Sequence, residues 1–429
     1  MDLLKSLEIC NPKRSDLVEK IYLLNDEPKV ELKTKEKIIS DYEKIQYEDM
    51  GLESYILEKY NLDVSGKYGG LTIKNPFGKA SGQLSSNISQ IKTDAIDGLG
   101  FVVIKTVISQ DENAGSSMEA WKVNAPKMIV EEIISERGEK GYTVTWKGRG
   151  WDKSFEDYLK LVSESFDIYK ETQVPVIPSV QYHLPSKEEG FKEAEYQYTT
   201  RSLEKVWKDS AVDLPFIIEQ DFSATLSSLK NSKVEILRWL KEVPGLINKY
   251  IDTDNKIIGV KLFNPSFDDD FQVQMVKTLN ESSSDIVDVI TCFNRLFDFN
   301  KEFEGKKGIA YGGYDLSDRN LRVLSKFIDE YKNKEFIPIS ATGNINSGKM
   351  MVEYALRGAT SGQIHTYFQI PSKNYRLKEG SRTKKALHEL MFNPVNGLVV
   401  TMLSLKNELG IDKDKTFKFL DISKLHKKS

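Results

Sequence analysis

The stretch PISATGNINSGKMMVEYALRGATSGQIHT, residues 338–366, decides the fold of this 429-residue chain. It opens with a short β-rich run at 338–343 and ends with another at 361–366. Between them, residues 347–358 repeat apolar side chains at three- and four-residue steps, which is the spacing of an amphipathic helix. A strand, a helix and a second strand in this order predict a βαβ unit with parallel strands.

The same alternation extends over most of the chain. Eight β-rich runs occur, at 78–82 (GKASG), 101–107 (FVVIKTV), 175–180 (PVIPSV), 216–222 (FIIEQDF), 257–263 (IIGVKLF), 288–294 (DVITCFN), 338–343 and 361–366. Helix candidates lie between them, at 154–171, 233–243, 271–279, 319–332 and 347–358. Eight strands alternating with helices predict the α/β class and a (β/α)₈ TIM barrel. A doubly wound open sheet shows the same alternation, but its fingerprint G-x-G-x-x-G is absent, so the sequence favours the barrel.

The chain divides by composition into two parts. Residues 1–65 contain no β-rich run and many lysines and glutamates, which predicts a helical N-terminal extension. Residues 66–429 are expected to form the barrel. Within that part, residues 371–395 form a polar, basic insertion, and the last barrel helix is predicted at about 397–409.

Composition excludes several classes of function. With a net charge of -3, the protein has no positive electrostatic field that would attract a polyanion, so nucleic acid is not expected as a partner. Only Cys10 and Cys292 are present, too few for a disulfide framework or a four-thiolate cluster, and the histidines lack metal-ligand spacing. The first twenty residues contain acids and lysines, and no apolar run approaches the roughly 18 residues that cross a bilayer. We therefore expect a cytoplasmic protein without a metal or a membrane partner.

Polar side chains cluster where the β-rich runs end, which is where the active site of such a barrel lies. Lys105 and Lys261 end apolar runs, and burying a lysine costs several kcal/mol unless an anion neutralises it. Either a bound anion or electron-rich ring is that partner, or a neighbouring acid such as Glu219 or Asp221 forms a salt bridge. Glycines late in the chain, in GGYD (312–315) and ATGNI (341–345), are typical of a phosphate-binding region, although isolated glycines also serve ordinary turns.

Several of these motifs together resemble one family. NPFGKASG (75–82) is similar to its NPF-x-x-ASG opening, VIKTV (103–107) to its lysine-bearing second strand, and GVKL (259–262) to its flavin-side lysine strand. GGYD, ATGNI and GQIHT (362–366) follow in the order of its GG loop and phosphate region. The chain resembles the class 1 dihydroorotate dehydrogenases and the related flavin mononucleotide (FMN) domain of dihydropyrimidine dehydrogenase over roughly residues 68–425.

The resemblance implies an FMN cofactor and a set of residues around it. Lys261 would lie beside the pyrimidine end of the flavin and stabilise the negative charge that develops as the ring accepts a hydride. Lys105 would contact both flavin and substrate, and Asn294 the substrate. The remaining residues implied to bind the cofactor are Ala80, Ser81, Gly82, Thr106, Gly313, Gly343, Asn344, His365 and Thr366.

The chain departs from the family at the motif that carries the catalytic base. The family reads N-x-S-C-P-N or N-x-S-S-P-N there, whereas this chain reads DFSATL (221–226), with Ala224 at the position of the base. Alanine cannot accept a proton, so either Ser223, Thr225 or Asp221 replaces the base or the protein does not perform that dehydrogenation. The aspartate would repel the carboxylate of orotate, although Lys147 and Arg149 in WKGRGWD (146–152), the nearest match to the family's substrate loop, could offset it.

Two further departures lie in the phosphate region, where the family has glycine. Asn344 tolerates the left-handed backbone that glycine permits, so it can preserve the local geometry. His365 either gives the phosphate an extra donor or is a core histidine bonded to backbone.

Three functions are consistent with the family motifs that the chain keeps and with those that it has lost. The first is an FMN-dependent oxidoreductase acting on CH–CH groups of a small planar or cyclic-amide, pyrimidine-like substrate. The second is a flavin-binding barrel that has lost dehydrogenase activity and serves as a binding or regulatory protein, as Ala224 suggests. The third is a barrel without FMN that uses its lysines for another anion or a Schiff base. The family resemblance also implies a homodimer.

Overall fold

A computed structural model describes residues 21–118, 127–134, 140–147, 150–186, 188–222, 233–303, 305–313, 316–331 and 334–428. Its strands are β1 Leu62–Asp63, β2 Gly66–Tyr68, β3 Leu71–Ile73, β4 Phe77–Lys79, β5 Phe101–Val103, β6 Val107–Ile108, β7 Lys127–Ile134, β8 Lys140–Lys147, β9 Val176–Ile177, β10 Ser179–Gln181, β11 Phe216–Asp221, β12 Lys256–Lys261, β13 Val289–Cys292, β14 Leu296–Phe303, β15 Lys306–Gly313, β16 Ile339–Thr342, β17 Ala359–Ile364 and β18 Phe417–Lys418.

The α-helices of the described residues are α1 Leu32–Glu43, α2 Leu52–Tyr60, α3 Ile88–Ile96, α4 Phe155–Thr172, α5 Glu193–Ser210, α6 Lys233–Lys249, α7 Asp269–Ser282, α8 Leu316–Glu330, α9 Gly348–Ala355, α10 Arg382–Phe392, α11 Leu398–Glu408 and α12 Phe419–Ile422. Several begin at side chains that cap the first turn. Ser154 accepts the amide of Asp157 before α4, and Ser347 accepts the amide of Met350 before α9, at 3.0 and 3.1 Å.

A curled sheet of ten parallel strands forms the centre of the protein, in the order β6-β10-β11-β12-β13-β16-β17-β4-β5-β9. Every residue of β11, β13 and β16 is buried, as expected for parallel strands covered by helices on the outside and by packed side chains within. The α/β class and the parallel sheet are confirmed, and at least one strand of this sheet overlaps each of the eight β-rich runs. Two runs are interrupted, since β5 and β6 flank residues 104–106 and β9 and β10 flank Pro178.

A second sheet was not predicted. It is antiparallel, with the order β14-β15-β8-β7, and β15 joins β8 through Tyr311 to Gly313 paired with Thr143 to Thr145. Its strands carry many charged residues and glycines, as in KKGIAYGG of β15, so they lack the continuous apolar character of the central strands. Gly312 and Gly313, which the sequence suggested as a loop, end one of these strands.

The terminal segments pack on the helices of the central sheet. Helices α1 and α2 lie in the segment predicted to be a helical extension, where β1 also occurs and pairs with β18. The predicted insertion at 371–395 contains α10, whose apolar face is buried. Among the described residues, no helix has both the length and the apolar character that crossing a membrane requires.

Candidate functional site

A cavity of about 360 Å³ lies at the carboxyl ends of the parallel strands. Its volume is within the range of roughly 300 to 1,000 Å³ that small-molecule sites occupy. The antiparallel sheet contributes Tyr142 and Gly313 to its wall, and α1 contributes Tyr42. The residues predicted for the site that line it are Ala80, Ser81, Lys261, Asn294, Gly313, Gly343, Asn344, His365 and Thr366.

Lys261 occupies the end of β12 with 1% of its surface exposed. Its Nζ donates a hydrogen bond to Ser81 Oγ at 3.1 Å and lies 4.0 Å from Oε1 of Glu219. The salt bridge considered from the sequence is therefore present, with Glu219 as the partner. Because the ammonium has three donors and one described hydrogen bond, it keeps capacity to donate into the cavity.

Glu219 is fully buried inside the sheet, and burial raises its pKa. Its Oε2 accepts hydrogen bonds from Tyr68 at 2.9 Å, Thr291 at 3.1 Å and the amide of Gln363 at 2.5 Å. Gln363 also lines the cavity, so this network connects the buried carboxylate to the wall of the site. Sequence reasoning considered Glu219 only as a salt-bridge partner and did not select Gln363.

Asp221 joins three other predicted residues, Thr106, Ser81 and Asn294, into one network. Its Oδ2 accepts hydrogen bonds from Thr106 at 2.8 Å and Ser81 at 3.3 Å, and its Oδ1 accepts one from Asn294 at 3.4 Å. The carboxylate is 6% exposed and does not line the cavity. Ser81 therefore lies between two charges of opposite sign, the ammonium of Lys261 and the carboxylate of Asp221.

Lys105 lies next to this network, with 5% of its surface exposed. Burial and, after it, the positive charge of Arg295 lower the pKa of its ammonium to about 8, although Asp152 and Asp221 act in the opposite direction. Lys105 and Thr106 are not among the residues that line the cavity, although Thr106 lies 3.2 Å from Ser81, which does.

His365 lines the cavity as a neutral imidazole. Burial, followed by the charges of four cations, lowers its pKa to about 3; the cations are Lys79, Lys105, Lys261 and Arg295. A Cβ on Gly82 would lie 2.4 Å from Nε2 of this ring, so glycine at position 82 is what lets the imidazole pack there. A neutral ring can donate one hydrogen bond to a ligand but brings no charge.

The predicted phosphate region has the backbone that its sequence suggested. Asn344 has a φ of 52°, which confirms that it takes the left-handed conformation, and Gly343 before it has a φ of 105°. The side chain of Asn344 donates to Ser317 Oγ at 3.0 Å. Thr366 begins a 3₁₀ helix that ends at Gln369. A left-handed turn and a helix start are thus adjacent at the ends of β16 and β17.

Some predicted residues lie outside the described ranges. They are Arg149, Ser223 and Ala224, together with Thr225 and Leu226 of the altered base motif. Conversely, Arg295 lines the cavity and was not predicted. Arg295 directly follows Asn294, which ends a β-rich run, and this position was the sequence feature that could have identified it as a site residue.

A scan of the chain against protein-family models found no match, and a search among curated proteins found none either.

Proposed function

We propose that this protein is an FMN-dependent oxidoreductase similar to class 1 dihydroorotate dehydrogenase, acting on a small planar or cyclic-amide substrate. The observation that carries the proposal is the buried ammonium of Lys261, hydrogen-bonded to Ser81 and facing a cavity at the strand ends. The left-handed turn at Gly343 and Asn344, which line the same cavity, supports a phosphate group there.

We propose further that the ten-stranded sheet is a closed (β/α)₈ barrel. The strand order begins with β6 paired to β10 and ends with β5 paired to β9. Because β5 and β6 belong to one β-rich run, and β9 and β10 to another, the two ends of the order share the same two runs. Counted as continuous strands, the ten segments become eight, which supports closure.

The residues around the cavity fit the chemistry of FMN. Its isoalloxazine ring presents carbonyl and ring-nitrogen groups, and Lys261, Ser81 and Gln363 supply an ammonium, a hydroxyl and an amide beside one another. Gly343, Asn344 and Thr366 would hold the phosphate mainly through backbone amides. When bound, FMN supplies the hydride acceptor.

The side chains of this chain would position and stabilise rather than react themselves. Lys261 would place its ammonium next to the ring, where Glu219 and Ser81 fix its position, and such preorganised charge commonly provides the largest part of catalysis. Asp221, held by Thr106 and Ser81, is the candidate proton acceptor among the three replacements for the family's base, since Ser223 and Thr225 lie outside the described residues.

A flavin-binding protein without dehydrogenase activity is the second candidate. It is favoured by Ala224, which stands where the family has its proton acceptor. Both candidates bind FMN, and only the oxidoreductase converts a substrate.

The visible spectrum of the purified protein tests the cofactor directly. We expect flavin absorption bands, in protein as isolated or after incubation with FMN, and bleaching by a suitable reduced substrate. A protein that stays colourless after incubation with FMN would disprove both candidates. A flavin that no member of a panel of dihydropyrimidines reduces, and that no acceptor reoxidises, would favour the second.

A further inference from the structure

Gln363, in β17, carries a buried carboxamide whose two ends have different surroundings. The residue is 1% exposed and belongs to the wall of the cavity. Its Nε2 donates hydrogen bonds to Glu219 Oε2 at 2.5 Å and to Thr291 Oγ1 at 3.2 Å. Its Oε1 is buried as well, and no described residue donates a hydrogen bond to it. A buried carbonyl without a donor is rare in folded proteins and is typical of a place where a ligand or an ordered water binds.

The surroundings of Glu219 fix which end of this amide is the carbonyl. Oε2 of Glu219 accepts hydrogen bonds from Tyr68 at 2.9 Å and from Thr291 at 3.1 Å, so this oxygen acts as an acceptor. The group of Gln363 that lies 2.5 Å from it must then be a donor, and only the NH₂ group of a carboxamide can donate. Turning the amide over would bring two oxygens together. The carbonyl of Gln363 is therefore held away from the carboxylate.

Lys261 lies at the other oxygen of the same carboxylate, with its Nζ 4.0 Å from Oε1 of Glu219. Lys261 and Gln363 both line the cavity, so one buried carboxylate holds an ammonium donor and a carbonyl acceptor near each other in its wall. A ligand that satisfies both groups must offer a carbonyl oxygen and an N–H group on one edge. Cyclic amides and imides have such an edge, whereas ketones and carboxylates lack the N–H.

We propose that Gln363 is a specificity-determining residue: its carbonyl accepts a hydrogen bond from a ligand N–H, and together with Lys261 it selects a ring with a cyclic amide or imide edge. The proposal rests on the proposed function for the identity of that ring. In FMN the edge belongs to the pyrimidine part of the isoalloxazine, which carries an N–H between two carbonyls. The hydrogen-bond pattern itself is a property of the two side chains and is measurable without turnover.

Fluorescence titration of the full chain in its flavin-free form tests the acceptor with FMN and 3-methyl-FMN, because the methyl group replaces the hydrogen of that N–H. We expect FMN to bind at least about 10-fold more tightly, since 3-methyl-FMN leaves the buried carbonyl without a donor. Gln363→Met keeps the length of the side chain without the acceptor. It should lower the ratio of the two affinities by about 10-fold.

Gln272→Met is the matched control. Gln272 is also fully buried, its Nε2 donates to Asn264 at 2.7 Å, and its Oε1 has no described donor, but it is not among the residues that line the cavity. The substitution should leave the ratio of affinities unchanged. If Gln363→Met does not fold by circular dichroism, Gln363→Asn decides, because it withdraws the carbonyl from the ligand by one methylene. A ratio equal to that of the unmodified protein would then overturn the proposal.

Equal affinities for FMN and 3-methyl-FMN in the unmodified protein would also overturn it, and a water bound to the carbonyl of Gln363 would give that result. An unaltered ratio in a folded Gln363→Met variant would overturn it as well. FMN uptake without discrimination would remove the role of Gln363 and leave the proposed oxidoreductase.

A protein that takes up no flavin is tested with uracil and 1,3-dimethyluracil, which differ in their N–H groups. A preference for uracil that Gln363→Met abolishes would support the recognition of an amide edge and remove the oxidoreductase. Equal affinities for the two pyrimidines, or no binding of either, would remove both proposals.

Discussion

Lys261 and Glu219 are both buried, and Nζ of the lysine lies 4.0 Å from Oε1 of the glutamate. Replacing Lys261 by alanine removes the charge next to the proposed flavin site and also leaves the glutamate without its counter-charge. We expect flavin reduction to be lost and the free energy of unfolding to fall by about 3 to 5 kcal/mol, the usual effect of breaking a buried pair. Stopped-flow absorbance and urea unfolding measure the two effects.

The double variant Lys261→Met, Glu219→Gln separates these effects. It removes both charges and keeps hydrogen-bonding groups for Tyr68 and Thr291. Stability should recover much of the loss, while flavin reduction should not. Recovery of reduction in the double variant would show that Lys261 acts on stability alone.

Lys105 predicts how FMN binding depends on pH. Burial and Arg295 lower the pKa of its ammonium to about 8. Deprotonation above that value removes a positive charge next to the proposed flavin site, so the affinity for the anionic FMN should weaken between pH 7 and 9. Titrations at three pH values check this. In Lys105→Met the pH dependence should disappear, and an unaltered slope would contradict the role given to Lys105.

At the scale of elements, the turn after β16 holds the predicted phosphate region in place. A Cβ on Gly343 would lie 2.3 Å from Nδ2 of Asn320, which donates to the carbonyls of Phe293 and Thr342 at the strand ends. Gly343→Ala should therefore lower stability by about 1 to 3 kcal/mol and weaken FMN binding. Thermal unfolding and flavin fluorescence measure both.

Gly70→Ala is the control for this substitution. Position 70 has open space around it and no left-handed φ. It should change neither stability nor FMN affinity by a measurable amount. If Gly343→Ala behaves like Gly70→Ala, the turn is not needed for the cofactor.

The elements differ in how well the sequence predicts them. Central strands such as β11, FIIEQD, are apolar throughout because the sheet is covered on both sides. Helices such as α4 carry both a cap and an apolar stripe. In contrast, β8 and β15 mix lysine, glycine and apolar residues, and they are strands because each pairs with a neighbour that is distant in sequence.

For the whole molecule, the segment before α1 joins the N-terminal part of the chain to α9. The carboxylate of Glu353 in α9 is fully buried and accepts the amides of Leu23 at 3.1 Å and Leu24 at 2.8 Å, while Arg357 pairs with it at 3.0 Å. A chain that begins at Leu32 loses both amide donors. We expect its free energy of unfolding to fall by about 3 kcal/mol or more, since each hydrogen bond to a charged group contributes roughly 1.5 to 3 kcal/mol.

A chain that begins at Ile21 keeps both donors and is the control. Urea unfolding compares the two chains, and equal midpoints would show that the contacts with Glu353 add nothing to stability. Because α9 follows the left-handed turn of the cavity wall, the shorter chain should also bind FMN less tightly.

The sequence by itself determined the parallel α/β sheet and the polar strand ends, because buried strands and amphipathic helices have local periodicities that can be read directly. It also indicated that Asn344 could replace a glycine, since that preference is local to one residue. Only the tertiary structure decided that Glu219 is the partner of Lys261, that Arg295 and Gln363 line the cavity, and that an antiparallel sheet forms part of its wall. These features depend on contacts between residues far apart in the chain, which the local pattern of a single sequence does not specify.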